Sequence, residues 1–266
     1  MKPTLRVAIA GGNGRMGQTL IELVSDTDAL AIAGITLAPD ESAPSSATVD
    51  ASLYFHDVDA ALENADVLID FTTPDTVAQH ARACKDARVA WVLGTTGLEQ
   101  TEQTLVDEAV EQVSVCQAAN FSTGVTLMLR LVELAARAVD VDTDLEVIEA
   151  HHRHKVDAPS GTALAIGKAL AAGRGVELTE NAVMSREGIT GARPAGAIGF
   201  ATIRGGDIIG DHTALFASEG ERLEITHRAG TRKAFALGAL RAARWLADQA
   251  PGHYDMQDVL QLREKG

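Results

Sequence analysis

Short apolar runs alternate with helix-spaced segments over the first half of the chain. Leu5-Arg6-Val7-Ala8-Ile9-Ala10 has the pattern of a buried strand, and Gln18 to Ser25 sets Leu20, Ile21 and Val24 at helical spacing. The rhythm repeats. Strands are predicted over Leu30 to Leu37, Val67 to Phe71, Val89 to Leu93 and Val113 to Gln117, with helices over Asp57 to Asn64, Asp75 to Ala87 and Glu99 to Glu111. Repeated strand–helix units predict an α/β fold with a doubly wound parallel sheet, whose ligands sit beyond the carboxyl ends of the strands. A long helix, Thr123 to Val139, leads into a different pattern. Leu145-Glu146-Val147-Ile148 alternates like a strand and Ala163 to Ala172 is helix-like. Ala197 to Ile203, Asp211 to Ala217 and Arg222 to Arg228 then alternate apolar and polar residues, the pattern of an antiparallel meander. This part is expected to be a second, α+β domain with a mostly β sheet. Such a sheet needs cover on its apolar face, and a second subunit is one way to supply it. Thr231 to Asp248, carrying Phe235, Leu237, Leu240 and Trp245, is a last helix expected to return to the first domain. The expected divisions are 1–122, 123–232 and 233–266.

The stretch from Glu149 to Thr162 joins the second domain's first strand to its helix. Five consecutive positions, His151-His152-Arg153-His154-Lys155, are basic or can become so, in a chain of formal charge −14. Such a run is ordinarily a solvated loop, but this one lies where sites tend to be built. Ser160 is the predicted helix cap. A helix start offers unpaired N–H groups and the positive end of the dipole. The amides near Ser160, Gly161 and Thr162 are therefore candidates to hold a carboxylate or phosphate, with no Cβ at Gly161 in the way. Arg153 and Lys155 can neutralise that anion. Histidines among cations are expected to have depressed pKa values, and a lysine among them to be a better proton donor than a free one. A zinc site from His151, His152 and His154 is the other functional option. Adjacent strand residues point to opposite faces and no cysteine lies nearby, so no metal is assigned.

Gly11-Gly12-Asn13-Gly14-Arg15-Met16-Gly17 follows the first strand and opens the first helix. Gly12, Gly14 and Gly17 match the dinucleotide fingerprint in the strand–turn–helix context that supports it. The first domain is therefore read as Rossmann-like. Thr72, Gly94, Thr95, Thr96, Asn120 and Phe121 stand at other strand ends and outline one rim. No Lys or Arg occurs from Gly17 to Ala81, which leaves Arg15 as the one cation for a 2′-phosphate from this half. NADH or NADPH is the expected cofactor, with a lean toward NADH. Asp40 is the candidate for the ribose hydroxyls, its alternative being a solvated acid in an exposed loop from Pro39 to Asp50.

The 266 residues allow one large or two modest domains, and 46% hydrophobic residues are enough for a core. The negative charge argues against nucleic acid as a partner. No apolar run is long enough for a membrane, and Met1 to Val7 has no signal-peptide character. Cys84 and Cys116 read as reduced thiols, and the expected location is the cytoplasm.

With both motifs in view, the chain resembles the dihydrodipicolinate reductase family. Glu149-Ala150-His151-His152-Arg153-His154-Lys155-Val156-Asp157-Ala158-Pro159-Ser160-Gly161-Thr162 is similar to the family signature without a gap. Gly11 to Gly17, Gly94-Thr95-Thr96-Gly97 and Ala118-Ala119-Asn120-Phe121-Ser122 resemble its cofactor segments, and Ser185-Arg186-Glu187-Gly188 resembles another shared segment, in a glycine-rich loop that could cover the site. The resemblance runs from about Leu5 to Leu260. It implies NAD(P)H-dependent reduction of 4-hydroxy-tetrahydrodipicolinate to tetrahydrodipicolinate, on the diaminopimelate route to lysine. It implies His151 as acid/base, Lys155 as proton donor, and His152, Gly161 and Thr162 as binders of a small dicarboxylate, to which the residue reading adds Lys155 and Ser160. It also implies a homotetramer. The family's Glu-Arg pair near the ribose is missing at Ala38-Pro39. Other readings are a related oxidoreductase acting on an aldehyde or sugar, a dinucleotide-binding regulator without turnover, and a structural oligomerisation module.

Overall fold

A computed structural model describes residues 4–44 and 49–263; residues 45–48, within the predicted exposed loop, lie outside the described residues. Two compact units are present. One holds the described residues up to Thr123 and from Arg232 onward, the other residues 124–231.

The first unit runs β1 (Leu5–Ala10), α1 (Arg15–Ser25), β2 (Leu30–Thr36), β3 (Tyr54–Phe55), α2 (Val58–Leu62), β4 (Val67–Asp70), α3 (Val77–Ala87), β5 (Ala90–Leu93), α4 (Gln100–Ala109) and β6 (Ser114–Gln117). The second contributes α5 (Thr123–Ala138), β7 (Asp144–His151), α6 (Gly161–Arg174), α7 (Leu178–Asn181), β8 (Ala182–Val183), β9 (Ile198–Arg204), β10 (Asp211–Ser218) and β11 (Glu221–Arg228). The chain then rejoins the first unit with α8 (Lys233–Leu246), β12 (Gly252–Tyr254) and α9 (Met256–Val259).

Among the described residues the first sheet has the order β12-β6-β5-β4-β1-β2-β3, all pairs parallel. Its strands are buried on both faces. Val7, Ile9, Ile69 and Val92 pack with α1 and α8 on one side; Ala8, Leu68, Trp91 and Leu93 pack with α2, α3 and α4 on the other. The alternation within each strand sends neighbours to opposite cores, as a parallel sheet covered on both faces requires. The order reverses at β1, between β4 and β2, and leaves a crevice at the carboxyl ends there. Helix α8 lies so close that a Cβ on Gly238 would collide with the carbonyl of Phe121, which fixes the segment after β6.

The second sheet has the order β11-β10-β7-β9-β8. It is not the meander that the alternation predicts. Strand β10 pairs antiparallel with β11 and with β7, and β9 lies parallel to β7 on its far side. Alternation fixes which face a side chain takes but not which strand is its neighbour. The link from Arg204 to Asp211 is long enough to cross the end of β7, where the Gly205 N–H donates to the His151 carbonyl (2.9 Å). Helices α5 and α6 cover one face through Met128, Val132, Ile166 and Leu170 against Leu145, Val147, Ile198, Phe200 and Phe216. On the other face Ile203 stays half exposed. No helix among the described residues is long and apolar enough to cross a membrane.

Candidate active site

The glycine loop closes on itself at the end of β1. Gly11 takes a left-handed conformation (φ 71°), and its N–H donates to the Thr36 hydroxyl (3.2 Å). A Cβ on Gly12 would strike Ile35, and one on Gly17 would strike the Gly11 carbonyl. These glycines let β1, β2 and α1 meet at backbone distance. Gly14 caps α1 without a side-chain bond, and the helix's first turn carries no acid. Its N–H groups are therefore suited to an anion such as a pyrophosphate, and the residues fit a dinucleotide. Arg15 is exposed and Met16 half-buried beside the loop, while the Asn13 amide donates to the Ser42 carbonyl (3.2 Å).

The neighbouring strand ends are brought into contact with this loop. A Cβ on Gly11 would lie 3.0 Å from the Thr72 methyl, and Gly94 abuts the Phe71 ring. Phe71 and Phe121 meet edge to face at 5.4 Å. Beneath them lies a carboxylate that the sequence reading overlooked. Asp70 ends β4 fully buried and accepts from the Thr72 N–H (3.0 Å), the Thr72 hydroxyl (2.6 Å), the Thr95 hydroxyl (3.1 Å) and, opposite, His80 Nδ1 (2.7 Å). Burial works against its charge, yet these donors together hold the carboxyl below its usual range. The Thr72 and Thr95 hydroxyls are thus turned inward, and what those positions offer a ligand is main chain. Thr96 and Ala119 are exposed; Ala118 and Asn120 are half-buried. After β2, Asp40 is exposed, whereas Glu41 turns back to accept from the Ala38 N–H (3.1 Å). The reading as an aldehyde-acting oxidoreductase gains no exposed nucleophilic cysteine here. Both cysteines are buried, and burial, with Asp255 and Asp258 adding to it, pushes Cys116 up to about 12.

In the second unit the packed face of β7 reads Leu145, Val147, Glu149, His151. Its last two positions are polar, so the core gives way to a site where α6 begins. Glu149, only 1% exposed, accepts from His151 Nδ1 (2.6 Å), from both terminal nitrogens of Arg204 (2.8 Å each) and from the Ser160 N–H (3.1 Å). Burial opposes its charge, but those donors together keep its carboxyl below the usual value. Ser160 caps α6 as predicted, its hydroxyl accepting from the Ala163 N–H (3.2 Å) and meeting His212 Nε2 at 3.1 Å. Gly161 faces open space at the helix start, beside half-buried Thr162. Lys155 Nζ lies 2.8 Å from Asp157, and His152 stacks loosely on His154 at 6.3 Å. Arg153 and His154 are exposed.

Within the basic run His151 is partnered by Glu149 and Lys155 by Asp157. One expectation needs correction. The glycine-rich loop is not over this site: Arg186 binds Glu146 through both terminal nitrogens (2.9 and 2.7 Å). Glu146 sits on the opposite face of β7 and five residues from His151, about 16 Å along the strand. Among the described residues no three His, Cys, Asp or Glu side chains gather as a metal-binding group.

Arg204 and His212 also escaped the sequence reading, since each comes from a strand that is distant in the chain. His212 packs edge to face on His151 at 5.0 Å. Burial, reinforced by His151, pushes His212 down to about 4. The unfolded chain therefore takes up this proton first. The contribution to stability is complete above pH 6.5 and is lost as pH falls toward 4. It amounts to about 3 kcal/mol at most. His212→Gln should flatten the fall in Tm over that window, with His227, also depressed by burial, keeping part of the slope. An unchanged slope would contradict this assignment.

Residues 5–121 match the family described as dihydrodipicolinate reductase, N-terminus, and residues 124–260 its C-terminus. The chain is 48% identical over 266 residues to 4-hydroxy-tetrahydrodipicolinate reductase of Laribacter hongkongensis, covering 97% of this chain and 99% of the relative. It is 49% identical over 269 residues to the enzyme of the same name from Alkalilimnicola ehrlichii, with 97% and 100% covered. Among solved structures, the dipicolinate-bound dihydrodipicolinate reductase of Paenisporosarcina sp. TG-14 superposes with a TM-score of 0.78 at 27% identity, over 96% of this chain and 98% of that one.

Proposed function

The chain belongs to the dihydrodipicolinate reductase family, and from that premise we propose that it reduces 4-hydroxy-tetrahydrodipicolinate to tetrahydrodipicolinate with a nicotinamide cofactor, on the diaminopimelate route to lysine. The observation that carries this reading is the presence of His151, Lys155 and the open start of α6 within one unit, in a chain that matches the family over residues 5–121 and 124–260. Gly11 to Gly17, with main chain at Thr72, Gly94 to Thr96 and Ala118 to Phe121, would hold the dinucleotide. When bound, the reduced nicotinamide supplies a hydride.

The chain's own residues do the rest. The N–H groups at Ser160, Gly161 and Thr162 and the α6 dipole hold one substrate carboxylate. His152 and Lys155 bring positive charge to the dicarboxylate. After the 4-hydroxyl has left as water, Lys155 Nζ, oriented by Asp157, gives a proton to the ring that accepts the hydride, and His151 serves as acid/base in the same unit. Cationic groups in a partly desolvated pocket stabilise the negative charge that develops on the ring. NADH is the better partner of the two nucleotides, because the chain from Gly17 to Ala81 offers a 2′-phosphate no cation and instead carries Asp40 and Glu41. A second copy covers the bare sheet face around Ile203, toward a homotetramer.

The carboxylate site can be tested without turnover. Pyridine-2,6-dicarboxylate should bind the wild type in calorimetry. Gly161→Glu, which places a like charge at the helix start where there is room for a side chain, should weaken that binding by about tenfold or more and leave cofactor binding intact. Equal affinities would refute the assignment of the anion to α6.

A further inference from the structure

We propose that Glu149 is the positioning residue of the site, fixing the tautomer of His151 and the spacing between the proton-transfer group and the carboxylate-binding helix start. The inference deepens the functional reading above and rests on it. Three observations carry it. Glu149 is 1% exposed and accepts at 2.6 Å from His151 Nδ1, so the imidazole carries a proton at Nδ1 and Nε2 is its working nitrogen. The other side of the ring is kept clear: a Cβ on Gly210 would come within 3.0 Å of Nε2, and Gly210 is not in a left-handed conformation that would itself call for glycine. The same carboxylate accepts the Ser160 N–H at 3.1 Å, one residue before the helix that receives the anion. Arg204 clamps it with both terminal nitrogens and also donates to the Asp157 carbonyl (2.6 Å), which ties in the loop that carries Lys155. One buried carboxylate thus sets the positions of His151, the Lys155 loop and the α6 amides.

Glu149→Gln tests this. The amide keeps the shape, and its oxygen can still accept from the Ser160 N–H and from one terminal nitrogen of Arg204, while the other Arg204 bond is lost. Its NH₂ would then face Nδ1, which must become an acceptor, and the ring proton moves to Nε2. The readouts are the ¹⁵N spectrum of the histidines, kcat, and calorimetric affinity for pyridine-2,6-dicarboxylate. The expected result is Nδ1–H at His151 in the wild type and Nε2–H in the variant. With it, kcat should fall about a hundredfold or more, while dicarboxylate affinity changes less than about fivefold. An unprotonated Nδ1 in the wild type overturns the proposal, with no variant needed should Glu149→Gln fail to fold. So does a variant with full kcat, or one whose dicarboxylate affinity falls as far as its kcat, which marks a merely structural carboxylate. If the wild type binds dicarboxylate yet turns nothing over, the reductase reading fails instead, and the nitrogen spectrum of the free protein still decides the His151–Glu149 link.

Discussion

Lys155→Ala is expected to lower kcat by about 10²- to 10⁴-fold, the range a positioned general acid supplies. That corresponds to about 3–5 kcal/mol of transition-state stabilisation. The side chain is 22% exposed and its ion pair with Asp157 lies at the surface of the second unit, so its removal should leave folding intact. The KM for the cofactor should change little, because Lys155 belongs to the second unit and the glycine loop to the first. Substrate KM should rise modestly with the loss of one positive charge. Lys155→Arg should not restore activity, since a guanidinium does not release its proton near neutral pH. Steady-state kinetics on both variants would check this, and full kcat in Lys155→Ala would remove the lysine from the proton-transfer role.

The second large effect lies in the other unit. Gly17→Ala should weaken binding of the reduced dinucleotide by about 10- to 100-fold, the equivalent of a one- to three-kilocalorie overpacking penalty. The reason is steric. The added Cβ would collide with the Gly11 carbonyl and lie 3.0 Å from the Gly12 Cα, and these are backbone atoms that cannot swing aside. Helix α1 must therefore move off the loop, and its N–H groups leave the anion position. Binding of pyridine-2,6-dicarboxylate, proposed above for the second unit, should persist. Fluorescence titration of reduced cofactor into both proteins gives the comparison, and undiminished affinity in the variant would show that the loop tolerates the shift.

The first unit was legible because its signals are local. Each buried strand is a short apolar run, and each is followed by a helix with its own spacing. Strands too short to carry a pattern were not: Tyr54–Phe55, Ala182–Val183 and Gly252–Tyr254 are held by their neighbours' hydrogen bonds rather than by their own composition. In the second unit Ile198–Arg204 does not alternate as predicted, its first three residues being buried and the next three exposed, and its partner is β7 and not β10. That choice depends on a crossing loop, which periodicity does not record. The site divides the same way. The His151–Lys155 run and the glycine loop are contiguous in sequence and could be read directly. Arg204 and His212 act through contacts between strands distant in the chain, and Asp70 through the turn and helix that follow its strand and through Thr95. Even Glu149, within the recognised stretch, looked like a neighbour of the basic run until the fold placed it on the same face of β7 as His151. An acid at or next to the end of an otherwise apolar buried strand face, as Asp70 and Glu149 are, is the signal that could have found them.

The most direct measurement is oxidation of NADH and NADPH by the purified protein, run in parallel, with substrate generated in place from pyruvate and aspartate semialdehyde by its synthase. The account predicts loss of reduced-cofactor absorbance that depends on the synthase product, at a higher kcat/KM with NADH. Protein that binds a reduced nucleotide and pyridine-2,6-dicarboxylate but oxidises neither nucleotide would contradict it, and would leave the His151–Lys155 cluster as an anion sensor in a regulator.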